Sequence, residues 1–255
     1  MRAAFIHSPR LEEYKYPPDC PFRTERAAQL RSSLASMDLL TGEGRREVAP
    51  EPADRTTLLG FHAERYLDAL EAAQGGHLDI EGLGMNLGTP DCPIFLGMYD
   101  HAALACGASV AGARLLAAGE VDVAFNPSGG FHHAHASRAG GFCYLNDVVL
   151  ACQHLTKAGQ RVLFLDIDVH HCDGVQDAFY DRRDVMTLSF HESPKTLYPG
   201  TGYEDEIGVG EGRGYSVNVP LPVGLYDELF LKAFRAVALP LIDAFRPDSV
   251  AGRIR

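Results

Sequence analysis

Three short stretches of this 255-residue chain concentrate side chains that bind metals and move protons. The first is Asn126-Pro127-Ser128-Gly129-Gly130-Phe131-His132-His133. The second is Asp166-Ile167-Asp168-Val169-His170-His171-Cys172-Asp173-Gly174, and the third is His191-Glu192. In an extended segment side chains alternate, so Asp166, Asp168 and His170 face the same way. Two carboxylates and an imidazole form a donor set suited to Zn²⁺, with Fe²⁺ or Co²⁺ as substitutes. Cys20, Cys92, Cys106, Cys143, Cys152 and Cys172 form no CxxC pair. That points away from a closed structural zinc site and toward an open catalytic one. The plainer alternative is that Asp166 and Asp168 cap a helix or hold a structural cation.

His132 and His133 follow a Pro127-Ser128-Gly129-Gly130 turn. A lone histidine is usually a satisfied core residue. Two adjacent imidazoles beside a metal site read better as general base and general acid, because imidazole titrates near neutral pH. Such a base needs a partner on its far ring nitrogen, and Asp166 and Asp173 are the carboxylates at hand.

Each stretch follows a short apolar run, at residues 121–125, 162–166 and 185–190. These runs read as strands, joined by further strands at 2–6 and 215–219. Helical patterns lie at 25–37, 61–73, 96–118, 147–157, 175–180 and 226–245. The last carries an apolar stripe of Phe230, Phe234, Val237, Leu241 and Phe245, with a kink expected at Pro240. Residues 41–55, 75–93 and 194–214 are rich in glycine, proline or charge and read as loops. Alternating helices and apolar strands imply a parallel sheet covered on both faces. Ligands bind such sheets beyond the carboxyl ends of the strands, where the histidines and aspartates collect.

Composition narrows the function classes. Hydrophobic residues are 46% and charged residues 22%, which excludes collagen, coiled coil and wholesale disorder. No apolar run approaches the ~18 residues of a membrane span. A net charge of −11 repels a phosphate backbone, so direct nucleic-acid binding is not expected. The first residues are too short and too soon interrupted for a signal peptide. With six cysteines and no CxxC, the expectation is reduced thiols in a cytoplasm.

The motifs Ser128-Gly129-Gly130-Phe131-His132-His133-Ala134, Gly140-Gly141-Phe142-Cys143-Tyr144-Leu145-Asn146-Asp147, Asp166-Ile167-Asp168-Val169-His170-His171, Pro199-Gly200-Thr201-Gly202 and Tyr215-Ser216-Val217-Asn218-Val219-Pro220 together resemble the zinc-dependent histone deacetylase superfamily. That group includes bacterial acetoin-utilisation-type proteins and histone-deacetylase-like amidohydrolases. The resemblance implies an α/β chain with the three-layer α/β/α arginase–deacetylase fold and a mostly parallel central sheet. It implies hydrolysis of an N-acetyl-lysine protein or peptide, an acetylpolyamine or a related acetylated amine to free amine and acetate. Asp168 and His170 take the place of zinc ligands. His132 and His133 match the paired histidines, with His133 as general base and acid, and Asp166 and Asp173 match their carboxylate partners. Gly141 and Phe142 match the wall of a substrate tunnel, and Asp91 a residue that binds substrate backbone. Asp166, Asp168, His170, Ser189 and Phe190 match a monovalent-cation site, suited to K⁺ and built largely from backbone oxygens. The implied chemistry is polarisation of the acetyl carbonyl by the metal and a lowered pKa of its bound water, toward ~7.

Two departures from the family pattern stand out. Cys172 replaces a glycine and is expected to pack in the core. The family's third acidic ligand follows the helix that ends at Phe245, and an oxyanion-stabilising tyrosine lies later. Here no aspartate follows Asp248. Residues 1–255 therefore read as a single, incomplete deacetylase domain, roughly the first two-thirds. An impaired form acting only as a binding protein is the alternative. An arginase-type two-metal enzyme fits the His-His pair less well. The strand breaking off at 249–251 leaves an open edge, from which homo-oligomers are expected.

Overall fold

The computed structural model describes residues 1–253. The chain divides into two compact units, Met1–His154 and Leu155–Arg255.

The N-terminal unit holds β1 (Ala3–Ile6), α1 (Arg10–Glu13), α2 (Glu25–Ser36), β2 (Arg45–Val48), α3 (Arg55–Leu58), α4 (Glu64–Gln74), α5 (Ile80–Gly84), α6 (Met98–Ala117) and β3 (Val123–Phe125), and α7 (Asp147–Lys157) begins in it. Its three strands are parallel in the order β2-β1-β3. β2 lies in a stretch whose composition reads as a loop. It pairs with β1 in parallel register, and Arg45, Arg46 and Glu47 are exposed, so no apolar alternation marks it. Likewise α5 interrupts the expected 75–93 loop, started by the Asp79 carboxylate accepting the Gly82 N–H at 2.7 Å.

The core of this unit joins α4 to α6. Tyr66, Leu67, Leu70 and Ala73 make one helical stripe on α4 and pack with Met98, Ala102 and Cys106 of α6. The alanine and glycine content of α6 has a steric cause. A Cβ on Gly107 would lie 1.8 Å from the Glu51 carbonyl oxygen, and the adjacent backbone bond from Ala53 N–H to Ala103 oxygen is 2.8 Å.

Two neutral imidazoles are built into this unit. Burial pushes both His62 and His101 down to about 4. His62 Nε2 accepts the Asn146 N–H at 3.0 Å, and protonation would destroy that acceptor. His101 lies among the rings of Tyr14, Tyr16 and Phe131. The unfolded imidazoles protonate near pH 6.5, so below that pH the unfolded chain binds more protons than the folded one. The stabilisation is complete above pH 6.5 and is lost as pH falls toward 4. Its size is on the order of 3 kcal/mol for each residue. Chemical denaturation between pH 7 and 4.5 should show this acid lability, and His101→Phe should flatten the pH dependence. A profile unchanged by that replacement would contradict the assignment.

The C-terminal unit contains β4 (Val162–Asp166), α8 (Asp173–Phe179), β5 (Val185–Glu192), β6 (Ser216–Leu221), α9 (Asp227–Phe245) and β7 (Ser249–Arg253). The sheet order is β6-β5-β4-β7 and every pairing is parallel. Leu163, Met186, Leu188 and Phe190 pack against Phe230, Phe234, Val237 and Leu241 of α9, the stripe expected from sequence. The helix continues through Pro240 to Phe245, and Arg246, at φ +50°, ends it. β7 runs two residues beyond the expected strand and pairs with β4 from Val162↔Ser249 to Asp166↔Arg253. None of the helices among the described residues is long and apolar enough to cross a membrane.

Candidate active site

The candidate residues fall in two groups, one in each unit. In the N-terminal unit, β3 leads into a turn that carries His132 and His133, both buried, with ring centroids 4.0 Å apart. The turn is held from beneath by Asp147, the first residue of α7 and itself buried. Its carboxylate accepts the Gly130 N–H at 3.0 Å, the Phe131 N–H at 2.7 Å and the Ser109 hydroxyl. Asn146 supports the far side, donating to the Ala134 carbonyl at 2.8 Å and the His132 carbonyl at 3.4 Å. Neither residue stands out from its type alone. The available signal was an Asn-Asp pair directly ahead of the apolar run Val148-Val149-Leu150, which marks a helix start rich in acceptors.

Gly141 and Phe142 lie beside this turn. Gly141 adopts φ +51°, and a Cβ there would fall 2.2 Å from His133 Cδ2, so only glycine lets the imidazole sit where it does. Phe142 also has positive φ, at +65°. Asp91 fixes both. Its Oδ2 accepts the Gly141 N–H at 2.9 Å and the Asn86 amide at 3.2 Å, while its carbonyl accepts the Phe142 N–H at 3.0 Å. The Asp91 carboxylate thus acts on the protein's own backbone, a role that the sequence reading did not give it. Phe142 is half-buried, packed on one side against the core.

In the C-terminal unit, Asp166 ends β4 and is fully buried. Its Oδ1 accepts the Asp168 N–H at 2.8 Å, which shapes the following loop. Asp168 Oδ1 accepts the His170 N–H at 2.9 Å and lies 3.0 Å from His170 Nδ1. Asp168 Oδ2 accepts from Arg253 Nη2 at 3.1 Å, and both side chains are buried. Asp173 is the buried first residue of α8. Ser189 pairs with Asp166 in the sheet register, and its hydroxyl lies 2.8 Å from His191 Nδ1. Phe190 directs its ring toward Phe230 and Phe234. Cys172 is buried, as expected.

A polar cluster behind this group gathers His171 and His191, which the sequence placed in the metal- and proton-handling stretches, with Thr201, Gly202 and Gln176, to which it gave no catalytic role. His171 Nδ1 lies 2.9 Å from Thr201 Oγ1 and its Nε2 3.1 Å from Gln176 Oε1. His191 Nε2 donates to the Gly202 carbonyl at 2.9 Å, so Nδ1 accepts from Ser189, and burial pushes the imidazole down to about 4. Gly202, at φ +93°, has no room for a Cβ, which would lie 2.5 Å from His191 Nε2. Within the Pro199-Gly200-Thr201-Gly202 motif, Thr201 and Gly202 are the residues that meet the two imidazoles.

A catalytic zinc site takes three protein ligands and leaves a position for water. Here Asp168 and His170 are two donors, and both Asp168 oxygens are engaged, one of them by a guanidinium. Among the described residues, no group of three His, Cys, Asp or Glu side chains is arranged to hold a metal ion. The side chains as arranged therefore do not fit a catalytic divalent metal.

A histone deacetylase domain matches residues 20–252. Histone deacetylase B of Dictyostelium discoideum is 45% identical over 203 residues, covering 78% of this chain and 47% of that protein. The acetoin utilization protein AcuC of Bacillus subtilis is 38% identical over 250 residues, covering 97% of this chain and 64% of that protein. The crystal structure of an HDAC homolog from Aquifex aeolicus superposes with a TM-score of 0.90 at 36% identity, covering 99% of this chain and 68% of that one. The chain belongs to the histone deacetylase superfamily, and its fold is the three-layer α/β/α arginase–deacetylase fold. It spans about half to two-thirds of the length of the curated relatives it matches.

Proposed function

We propose that this chain carries a deacetylase site for N-acetyl-lysine or a related acetylated amine, releasing free amine and acetate. The observation that carries the reading is the close fit of His133 against Gly141, with Phe142 next to it and Asp91 holding both backbone N–H groups. A reactive imidazole beside an aromatic ring suits a substrate that presents an amide on an apolar stem.

In this reading His133 takes a proton from the attacking water as oxygen bonds to the acetyl carbon. When the C–N bond breaks, the same proton passes to the leaving nitrogen, giving acetate and amine. His132 is the paired imidazole, and Asp166 and Asp173 are the carboxylates assigned to orient the two rings. Asp91 acts as a positioning residue for the Gly141–Phe142 backbone. Zn²⁺, with Fe²⁺ or Co²⁺ as substitutes, is the ion this reading assigns to Asp168 and His170, although their present arrangement does not fit it. K⁺ is assigned to backbone oxygens around Asp166, Asp168, His170, Ser189 and Phe190. The substrate is an acetylated lysine protein or peptide or an acetylpolyamine, with neither nucleic acid nor membrane as a partner. The six cysteines are all buried thiols, which suits a reducing cytoplasm.

One observation favours a second reading, in which the chain binds acetylated amines without turnover. That observation is the Arg253 contact on Asp168. Acetate release from an acetyl-lysine peptide and calorimetric binding of the same peptide separate the two. Phe142→Ala should weaken peptide binding, and kcat/KM where turnover is measurable, by roughly tenfold, the worth of one aromatic contact. Its melting temperature should change by only a few degrees. A collapse in stability would make Phe142 a core residue and remove the tunnel wall. Failure of the chain to bind or hydrolyse the peptide would sink both readings.

A further inference from the structure

We infer that Arg253 is an internal counter-ion of Asp168, taking the place that the charge of a divalent cation would fill. The inference deepens the metal-dependent reading above and rests on it for Asp168 and His170 as the metal-facing pair.

The contact follows from strand register. β7 runs parallel to β4 and brings Arg253 opposite Asp166, where β4 ends. The Ile167 N–H donates to the Arg253 carbonyl at 3.2 Å, so the ladder extends past that pair and fixes the arginine backbone. Asp168 lies one residue further on. Its Oδ2 receives the guanidinium at 3.1 Å, and the two side chains are 4% and 8% exposed. A carboxylate this deeply buried needs a compensating charge, and an arginine supplies one at every physiological pH. The other oxygen, Oδ1, is occupied by the His170 N–H and faces His170 Nδ1. A divalent ion approaching Asp168 would have to displace the guanidinium and would then stand against a fixed positive charge a few ångströms away. Like charges at such separations oppose binding by factors on the order of 10²–10³ even at a moderate effective dielectric.

The test is zinc affinity of the full chain, measured by competition with a chromophoric chelator, with Co²⁺ absorption reporting the ligand set. The wild-type chain and Arg253→Lys, which keeps the charge, should take up zinc only weakly. Arg253→Gln, which removes the charge, should bind on the order of 10²–10³ more tightly. Arg253→Asp, which also adds a carboxylate donor, should bind more tightly still. Zinc should raise the melting temperature of the Gln and Asp variants and leave the wild type unmoved, because an ion that binds only the folded state stabilises it. One tightly bound zinc per wild-type chain would overturn the inference, and that measurement does not depend on any variant folding. Equal affinities across the series would also overturn it. Acetyl-lysine hydrolysis is followed in parallel. Zinc uptake by Arg253→Asp without hydrolysis or peptide binding upholds the counter-ion and removes the deacetylase reading. Hydrolysis by a wild-type chain carrying tight zinc does the reverse.

Discussion

Asp147→Ala is expected to lower stability by about 3–5 kcal/mol, the cost of removing one partner from a buried charged network. The carboxylate is 1% exposed and accepts from Gly130 N–H, Phe131 N–H and the Ser109 hydroxyl. Deleting it removes the acceptor of the buried Phe131 N–H and of the part-buried Gly130 N–H and Ser109 hydroxyl. Ser109 also accepts from the Asn126 amide at 2.9 Å, so the loss spreads to the start of the turn. The turn cannot tighten to compensate by repacking around a larger residue at Gly129, since a Cβ there would lie 2.7 Å from Asn126 Nδ2. A loss of this size corresponds to a fall in melting temperature of roughly 10 °C for a chain of this length. Asp147→Asn keeps the volume and one acceptor oxygen, and should lose about half as much. Thermal and urea melts of the two variants check this. A loss under ~1 kcal/mol for the alanine variant would mean that the turn holds itself.

The sheet of the C-terminal unit was legible because its strands are apolar runs. Val162–Asp166 and Val185–Glu192 are buried along almost their whole length and need no alternation to be recognised. β2 was not legible, because Arg45, Arg46 and Glu47 are exposed edge residues held by backbone pairing with β1 and by ion pairs to Arg31 and Glu120, which leave no apolar pattern in the sequence. The length of β7 was missed for a related reason. Its far end is set by partners on β4, and nothing local in Gly252-Arg253 signals a strand.

The chemistry showed the same division. His132, His133, Asp166, Asp168 and His170 announced themselves through residue type and spacing, which is information carried within a few neighbouring positions. Asp147 and Asp91 act on backbone N–H groups well removed in sequence, and a carboxylate that serves a backbone looks the same in sequence as one on the surface. The Arg253–Asp168 contact joins residues 85 positions apart and depends on strand register. A one-residue slip would turn Arg253 to the opposite face of the sheet. Three-dimensional placement therefore changed the meaning of Asp168, from a metal donor to one half of a buried ion pair, without changing which residues were candidates.

His133→Ala is expected to cost 10²–10⁴ in kcat on an acetyl-lysine peptide, the usual worth of a positioned acid–base group. Arg253→Asp is the reference chain for this measurement, so that the guanidinium on Asp168 does not mask the effect. KM should move little, because the proton transfer is made in the transition state and not in the bound ground state. Gly141→Ala supplies the matching geometric test. It leaves the imidazole intact, yet the added methyl would meet His133 Cδ2 at 2.2 Å, on a backbone at φ +51° that L side chains rarely adopt. The ring must move or the Gly141 backbone must. Either shift disturbs the Asp91–Gly141 bond of 2.9 Å and the orientation of Phe142 next to it. Gly141→Ala should therefore lower kcat and raise KM together, where His133→Ala lowers kcat alone. Displacement of a catalytic group by about an ångström costs on the order of 10² in rate. Near-reference turnover in His133→Ala would remove the imidazole from the reaction. A Gly141→Ala chain with unchanged kcat and KM would show that the His133 ring has freedom that its packing denies.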